Sequence, residues 1–364
     1  MTAPTAESVL AALSEFPDPE TGREAVQQGQ VRDVKVDDGR IRLTLALSTH
    51  SSPLRRAATA EAESLLRARF PAATAIEILP AVHERPPVPL GQIGLTAKSV
   101  IAVGSGKGGV GKSTIAASVA WGLHRAGCKV GLLDADVYGP SIPLLLGLPA
   151  GEQPEIVVKN DRKRIVPKLL DGMPVMSMGF LVKPGEPIVW RGPMLHGAIQ
   201  QMLGDTDWGA LDYLIIDMPP GTGDIALSLS QILQLTGAVV VCTPQDVALL
   251  DAVKAIAMFR KVNIPLLGMV ENMSYFLCPD NGRRYDIFGT GGAQRKAAEL
   301  NVPFLGEVPL NIQVRINGDE GKLAGNYADV DAAPFFETIV ARLARNVADQ
   351  VRTAKPLPSL SVLK

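Results

Sequence analysis

Cysteine is scarce in this chain, with three among 364 residues, at positions 128, 242 and 278. So few thiols exclude a disulfide-built scaffold and suit a reducing compartment. Neither sign of charge prevails, since 36 Lys and Arg face 37 Asp and Glu. That balance gives no bulk attraction to nucleic acid or to an acidic membrane. No apolar run reaches the roughly 18 residues needed to cross a bilayer. The opening stretch, MTAPTAESVLAAL, has neither a basic start nor the apolar core of a secretory signal. The expectation is a cytoplasmic protein with no nucleic-acid or membrane partner. What the chain does have is 46% hydrophobic residues, enough for large cores, and a length that fits about two domains.

Two regimes follow one another along the chain. Residues 1–80 read as a small α+β domain. AESVLAALSEF and LRRAATAEAESLLRARF have helical spacing, and QVRDVKVDDGRIRLTLAL reads as two alternating strands around an Asp-Asp-Gly turn. A proline-rich linker covers 81–97, and 353–364 reads as a tail. Between them, 98–352 alternates short runs rich in Val, Ile and Leu with helical segments. That pattern predicts an α/β domain with a buried, mostly parallel sheet. Ligands of such sheets bind at the carboxyl ends of the strands.

The first strand of this domain, SVIAV, runs into GSGKGGVGKST. Gly106 to Ser113 satisfies the phosphate-binding pattern G-x-x-x-x-G-K-[ST]. Backbone N–H groups of such a loop and the following helix N-terminus attract phosphate. Gly106, Gly108, Gly109 and Gly111 let the backbone approach it, with Lys107, Val110 and Thr114 completing the loop. Lys112 suits the β- and γ-phosphates, and Ser113 suits Mg²⁺. Asp217, ending the apolar strand YLIID, is the expected second Mg²⁺ carboxylate. PPGTGD follows it, a loop suited to respond to loss of a γ-phosphate, and Asp224 suits a helix cap. Asp134 and Asp136 follow another strand. For Asp136 two roles fit: holding Mg²⁺-bound or attacking water, or capping the next turn. Asn272, in VENMS, has an amide that matches an adenine edge but also suits a plain turn. Pro309 and Asn311, in VPLN, are placed to wall the base.

The pattern needs only Lys112, yet Lys107 supplies a second lysine. GKGGVGKST resembles the deviant P-loop of the MinD/ParA ATPases. In that class the signature lysine reaches the nucleotide of a dimer partner. The resemblance implies that Lys107 acts in trans, placing positive charge on the transferring phosphoryl group.

The motifs GSGKGGVGKST, LLDADVYGPSIP, WRGPML, DYLIIDMPPGTGD, VCTPQDVALLDAVKAIAMF and ENMSYFLCP together resemble the Mrp/ApbC family of P-loop ATPases. The likeness spans about residues 96–350. The first domain, with DPETG after its first helix, is similar to the small iron–sulfur-assembly-associated domain often fused ahead of such ATPases. The resemblance implies an ATP-hydrolysing homodimer that binds a 4Fe–4S cluster at its interface and passes it to apo-proteins. It places the cluster ligands on a C-x-x-C pair in each subunit. Here Cys278 holds the first position and Asn281 the second. Two subunits then offer two thiolates where a standard cluster takes four. Cys128 and Cys242 read as core residues, and HSSPL in the first domain has serines where many relatives carry a cysteine.

A second reading stays open, a MinD/ParA-like switch that dimerises on ATP and recruits a protein without a cluster. Phe335, Phe336, Ile339, Val340, Leu343, Val347 and Val351 form one helical stripe, suited to packing on the domain or to a membrane surface. Nothing in the sequence suggests an acceptor pocket of a metabolic kinase.

Overall fold

Strict alternation in the first 80 residues and doubly apolar runs after residue 98 fold into separate units. The structure is a computed structural model describing residues 4–83, 95–137, 139–149, 151–159, 161–181, 192–221 and 223–353. Tyr138, Trp190, Arg191, Thr222, most of the expected linker and the tail from 354 lie outside the described residues, as does the Asp224 side chain. One unit comprises Met1–Arg85 with Ala344–Lys364, the other Pro86–Leu343.

In the first unit, β1 (Val31–Asp37) and β2 (Arg40–Leu47) pair antiparallel. Asp38 and Gly39 both have positive φ, as the tight turn between them requires. Ile41, Leu43, Leu45 and Leu47 alternate inward and are buried. The helix Ser52–Arg69 starts at Ser51, whose hydroxyl accepts from the Leu54 N–H, and carries Ala58, Ala62 and Leu66 onto the sheet. It crosses over to β3 (Ala75–Val82), parallel to β2. The DPETG loop is organised by buried Asp18. One of its oxygens accepts from the backbone N–H groups of Glu20 and Thr21. The other accepts from the Ser48 N–H at 2.7 Å and the Gln30 amide at 2.9 Å.

The second unit is built on a nine-stranded sheet among the described residues. Its strands are β4 (Ser99–Gly104), β5 (Val130–Asp134), β8 (Lys168–Leu170), β9 (Met173–Ser177), β10 (Tyr213–Asp217), β11 (Gly237–Cys242), β12 (Leu266–Leu277), β13 (Arg284–Tyr285) and β14 (Phe304–Leu310). The order is β13-β12-β11-β4-β10-β5-β9-β8, with β14 also on β12. All pairings are parallel except β8 with β9 and β12 with β13. The central strands β4, β5, β10 and β11 are buried throughout, because helices cover both faces. A small hairpin of β6 (Ile156–Lys159) and β7 (Arg162–Ile165) stands off this sheet. Its short, charged strands gave no strand signal in the sequence.

The C-terminal helix Ala333–Thr353 keeps Phe336, Ile339, Val340, Leu343 and Val347 buried, so most of its stripe is used in packing, while Phe335 is half-buried and Val351 exposed. No helix among the described residues is long and apolar enough to cross a membrane.

Candidate nucleotide site and cysteine turn

Because β4 lies between β10 and β11, its carboxyl end delivers the glycine-rich loop beside the end of β10. Ser105 O accepts from the Gly221 N–H at 3.0 Å, which ties the PPGTGD loop to the phosphate loop. Gly106 lies flat on the helix Asp246–Lys261. A Cβ there would fall 2.1 Å from the Asp251 carbonyl carbon and oxygen, which are backbone and cannot move aside. Gly111 precedes the helix Lys112–Arg125 with φ +79, and a Cβ there would meet the Asn272 amide nitrogen at 2.2 Å. Both glycines are therefore required by close approach. Gly108 and Gly109 are exposed along the loop, and Val110 is buried.

Lys112 is 6% exposed and turns inward. Its ammonium lies 2.5 Å from Asp217 Oδ1, 3.1 Å from Ser113 Oγ and 3.8 Å from Asp136 Oδ2. The second Asp217 oxygen is buried and has no hydrogen-bond partner among the described residues. Burial pushes the Asp217 carboxyl up, against the pull of Lys112 and Ser113. Asp134 is also fully buried. Burial, and then the charge of Asp217, push its carboxyl up to about 8. Both its oxygens are engaged within the protein. It accepts from the Asp136 N–H at 3.1 Å, the Ile142 N–H at 3.2 Å and the Ser177 hydroxyl at 2.9 Å. Asp134 thus fixes the loop that presents Asp136, and Asp136 in turn accepts from the Gly139 N–H at 3.2 Å. Sequence reasoning missed Ser177, whose only signal was its position at the end of a neighbouring strand.

Lys107 sits half-buried at the start of the loop, where Ser105 Oγ donates to its carbonyl at 2.9 Å. Its ammonium enters no ion pair among the described residues. Thr114 is half-buried in the first helical turn. Asn272 is brought to the loop, but its Nδ2 donates to Val110 O at 2.9 Å, leaving Oδ1 for another partner. Asn311 caps the helix Ile312–Asp319 by accepting from the Val314 N–H at 3.0 Å. Pro309 and Asn311 line a cavity of about 440 Å³ whose wall also includes Tyr275, Cys278 and Phe335.

Cys278 is half-buried at the turn between β12 and β13. Its N–H donates to Arg283 O at 2.9 Å, and its carbonyl accepts from the Gly282 N–H at 2.8 Å. Asn281 Oδ1 accepts from the Arg283 N–H at 2.9 Å, so its side chain closes the turn. Arg284 anchors the hairpin, stacking 3.8 Å from the Tyr275 ring centre and pairing with Asp286 at 2.8 Å. Cys128 and Cys242 are buried, at 3% and 1% exposure. Burial, with Glu271 nearby, pushes the Cys242 thiol up to about 12. Among the described residues no group of three or more His, Cys, Asp or Glu side chains is set to hold a metal ion.

A buried lysine at a glycine-rich loop, facing a strand-end aspartate on a mostly parallel sheet, defines a P-loop NTPase of the MinD/ParA type. A cell-division ATPase MinD from Pyrococcus furiosus shares that fold, with 23% identity, a TM-score of 0.50, and coverage of 67% of this chain and 98% of that one. The chain belongs to the NUBPL iron-transfer P-loop NTPase family, whose profile matches residues 96–344. Residues 6–78 match a second profile, that of an iron–sulfur cluster assembly protein. An iron–sulfur cluster carrier protein of Deinococcus radiodurans is 45% identical over 97% of this chain and 98% of its own length. One from Synechocystis is 44% identical, over 87% and 90%. A nucleotide-binding protein of Archaeoglobus fulgidus, solved with ADP, is 40% identical with a TM-score of 0.56, covering 66% of this chain and 92% of that one.

Proposed function

We propose that the protein is an ATP-hydrolysing homodimer of the cytoplasm that carries iron–sulfur clusters to apo-proteins. One observation carries the nucleotide half of this reading: Lys112, Ser113, Asp136 and Asp217 converge at the end of the phosphate loop. The residues also fit Mg²⁺. The unpartnered Asp217 oxygen is a hard anionic ligand, and the Lys112 ammonium already stands as a cation at the other oxygen. Ser113, Asp217 and Asp136 would hold the ion, directly or through water. When bound, it neutralises charge on the β- and γ-phosphates.

Loop N–H groups bind the phosphate oxygens, and Lys112 swings from Asp217 to the β- and γ-phosphates. Asp136, held by its tie to Asp134, orients the attacking water. Asn272, Pro309 and Asn311 receive the base. Lys107 serves the site of the second subunit, adding charge to the phosphoryl group only in the closed dimer. The 40% identity to an ADP-bound protein supports the nucleotide, and the named relatives support the cargo. Three cysteines in 364 residues suit a reducing compartment.

The cluster is cargo, and Cys278 is the residue placed to hold it. Two Cys278 thiolates from a dimer leave about two of four iron positions to other ligands, such as small thiols or a client cysteine. The burial of Cys128 and Cys242 favours keeping a second reading, a nucleotide switch that recruits a partner without a cluster. Anaerobic reconstitution with iron and sulfide, with and without a small thiol, separates them. Iron uptake that requires Cys278 supports the carrier, and no uptake under either condition supports the switch.

A further inference from the structure

Strand β9 contributes no residue to the phosphate loop, yet its last residue reaches the site through two carboxylates. Ser177 lies beside Asp134 in the pairing of β9 with β5 and is fully buried. Its Oγ accepts from the Gly179 N–H at 2.9 Å, capping the short turn Met178–Phe180. That bond fixes the oxygen and leaves the single hydroxyl proton for Asp134 Oδ2, at 2.9 Å. Oδ2 also accepts from the Ile142 N–H at 3.2 Å, while Oδ1 accepts from the Asp136 N–H at 3.1 Å. One carboxylate therefore ties down the loop at both Asp136 and Ile142. The turn after Ser177 braces the same loop. A Cβ on Gly179 would lie 3.2 Å from Pro140 Cβ and 3.3 Å from Pro143 Cγ, so the turn packs on those prolines with little room for a side chain.

We infer that Ser177 is a positioning residue for hydrolysis: through Asp134 it sets where the Asp136 carboxylate stands. This rests on the proposed reading of Asp136 as the group that orients the attacking water. A carboxylate turns easily about its last torsion, whose minima are broad. With two donors on Oδ2, rotation of Asp134 breaks two bonds there at once. Without the Ser177 hydroxyl, Oδ2 keeps only the 3.2 Å bond to Ile142. Rotation then carries Oδ1 away from the Asp136 N–H, and Asp136 drifts together with its bond to the Gly139 N–H. Displacing a catalytic group by about 1 Å can cost on the order of 100-fold in rate. The two hydrogen bonds of the Ser177 hydroxyl go to Asp134 and Gly179, not to the phosphate loop, so nucleotide binding is spared.

The test is a double-mutant cycle on single-turnover ATP hydrolysis by the full chain, run beside ADP calorimetry and hydrogen exchange at the Asp136 and Ile142 amides. Ser177→Ala should slow turnover about tenfold or more, while ADP affinity stays within about twofold. Without nucleotide, those two amides should exchange about tenfold faster than in wild type. Ser177→Thr keeps the hydroxyl and suits a strand, and should restore both turnover and slow exchange. In Asp136→Asn, where the positioned group is already altered, adding Ser177→Ala should cost less than about twofold further. A serine that only supports the fold would cost the same factor in both backgrounds, and that result overturns the inference. Wild-type turnover in Ser177→Ala overturns it, as does unchanged exchange at both amides, or a loss of turnover matched by loss of ADP affinity. A Ser177→Thr protein that binds ADP normally yet stays as slow as Ser177→Ala also overturns it. Wild-type turnover in Asp136→Asn overturns the reading of Asp136 itself, and this inference with it.

Discussion

The phosphate loop follows β4 and the cysteine turn follows β12, with β11 between those strands, and the two are built to different standards. At the loop, Lys112 and Asp217 are buried and paired at 2.5 Å, and Asp134 accepts from three donors. A change to any of these strands a partner in the interior, which is costly. At the turn, Cys278 is half-buried, and Asp280, Asn281 and Gly282 are exposed. Asn281 closes that turn with one hydrogen bond to backbone, so asparagine at this position does the fold no harm. The proposed phosphate site is therefore constrained by folding itself, and the proposed cargo site is not. That difference fits a chain that keeps the proposed nucleotide constellation while Cys278 has no second cysteine at position 281.

The contrast breaks most severely at Lys112. Lys112→Ala removes the proposed charge-assisted phosphate contact, so ATP affinity should fall on the order of 100-fold, about 3 kcal/mol. Equilibrium titration checks this, and near-normal affinity would remove Lys112 from the site. Gly106→Ala comes next. Its Cβ collides with the Asp251 backbone, and the overpacking should lower stability by about 2–3 kcal/mol, read in urea denaturation. The matching change at the exposed turn, Asn281→Ala, should cost only about 1 kcal/mol, one hydrogen bond. Equal losses at the two positions would erase the comparison.

Asp217→Asn has a smaller and less obvious effect. It frees Lys112 from its resting partner, so Mg²⁺-free ADP should bind about fivefold to tenfold more tightly, while the gain from added Mg²⁺ shrinks. Calorimetry in chelator and in Mg²⁺ reads both arms, and unchanged Mg²⁺-free affinity would mean the pair does not hold the lysine back. For Lys107, mixing Lys107→Ala subunits with Lys112→Ala subunits should restore a fraction of turnover. Each mixed dimer then contains one site with its own Lys112 and a partner's Lys107. Confirmed mixed dimers without rescue would confine Lys107 to its own loop.

Much of this was legible from sequence where the signal is local. The strand, glycine loop and helix from Ser99 to Arg125 follow one another directly, and Asp217 ends an apolar run whose length and branching mark a buried strand. The resting state of the site was not legible. The Lys112–Asp217 pair joins residues 105 apart, and which of phosphate or aspartate the lysine faces depends on occupancy, not on pattern. Asn272 was singled out for its amide, but its bond to Val110 depends on how β12 lies beside the loop. Met273, which takes φ +54 inside β12, escaped notice because methionine carries no signal for positive φ. The antiparallel pairing of β8 with β9 was missed because β8 is only three residues long.

The most direct test of the account is anaerobic reconstitution of wild type, Cys278→Ser and Asn281→Cys, with iron and sulfide counted and ATP turnover measured on the same samples. Wild type should hold a labile cluster that depends on added thiol, Cys278→Ser should hold none, and Asn281→Cys should hold more without added thiol. All three should turn over ATP alike. A stable, thiol-independent 4Fe–4S cluster that survives Cys278→Ser would contradict the placement of the cargo at this turn.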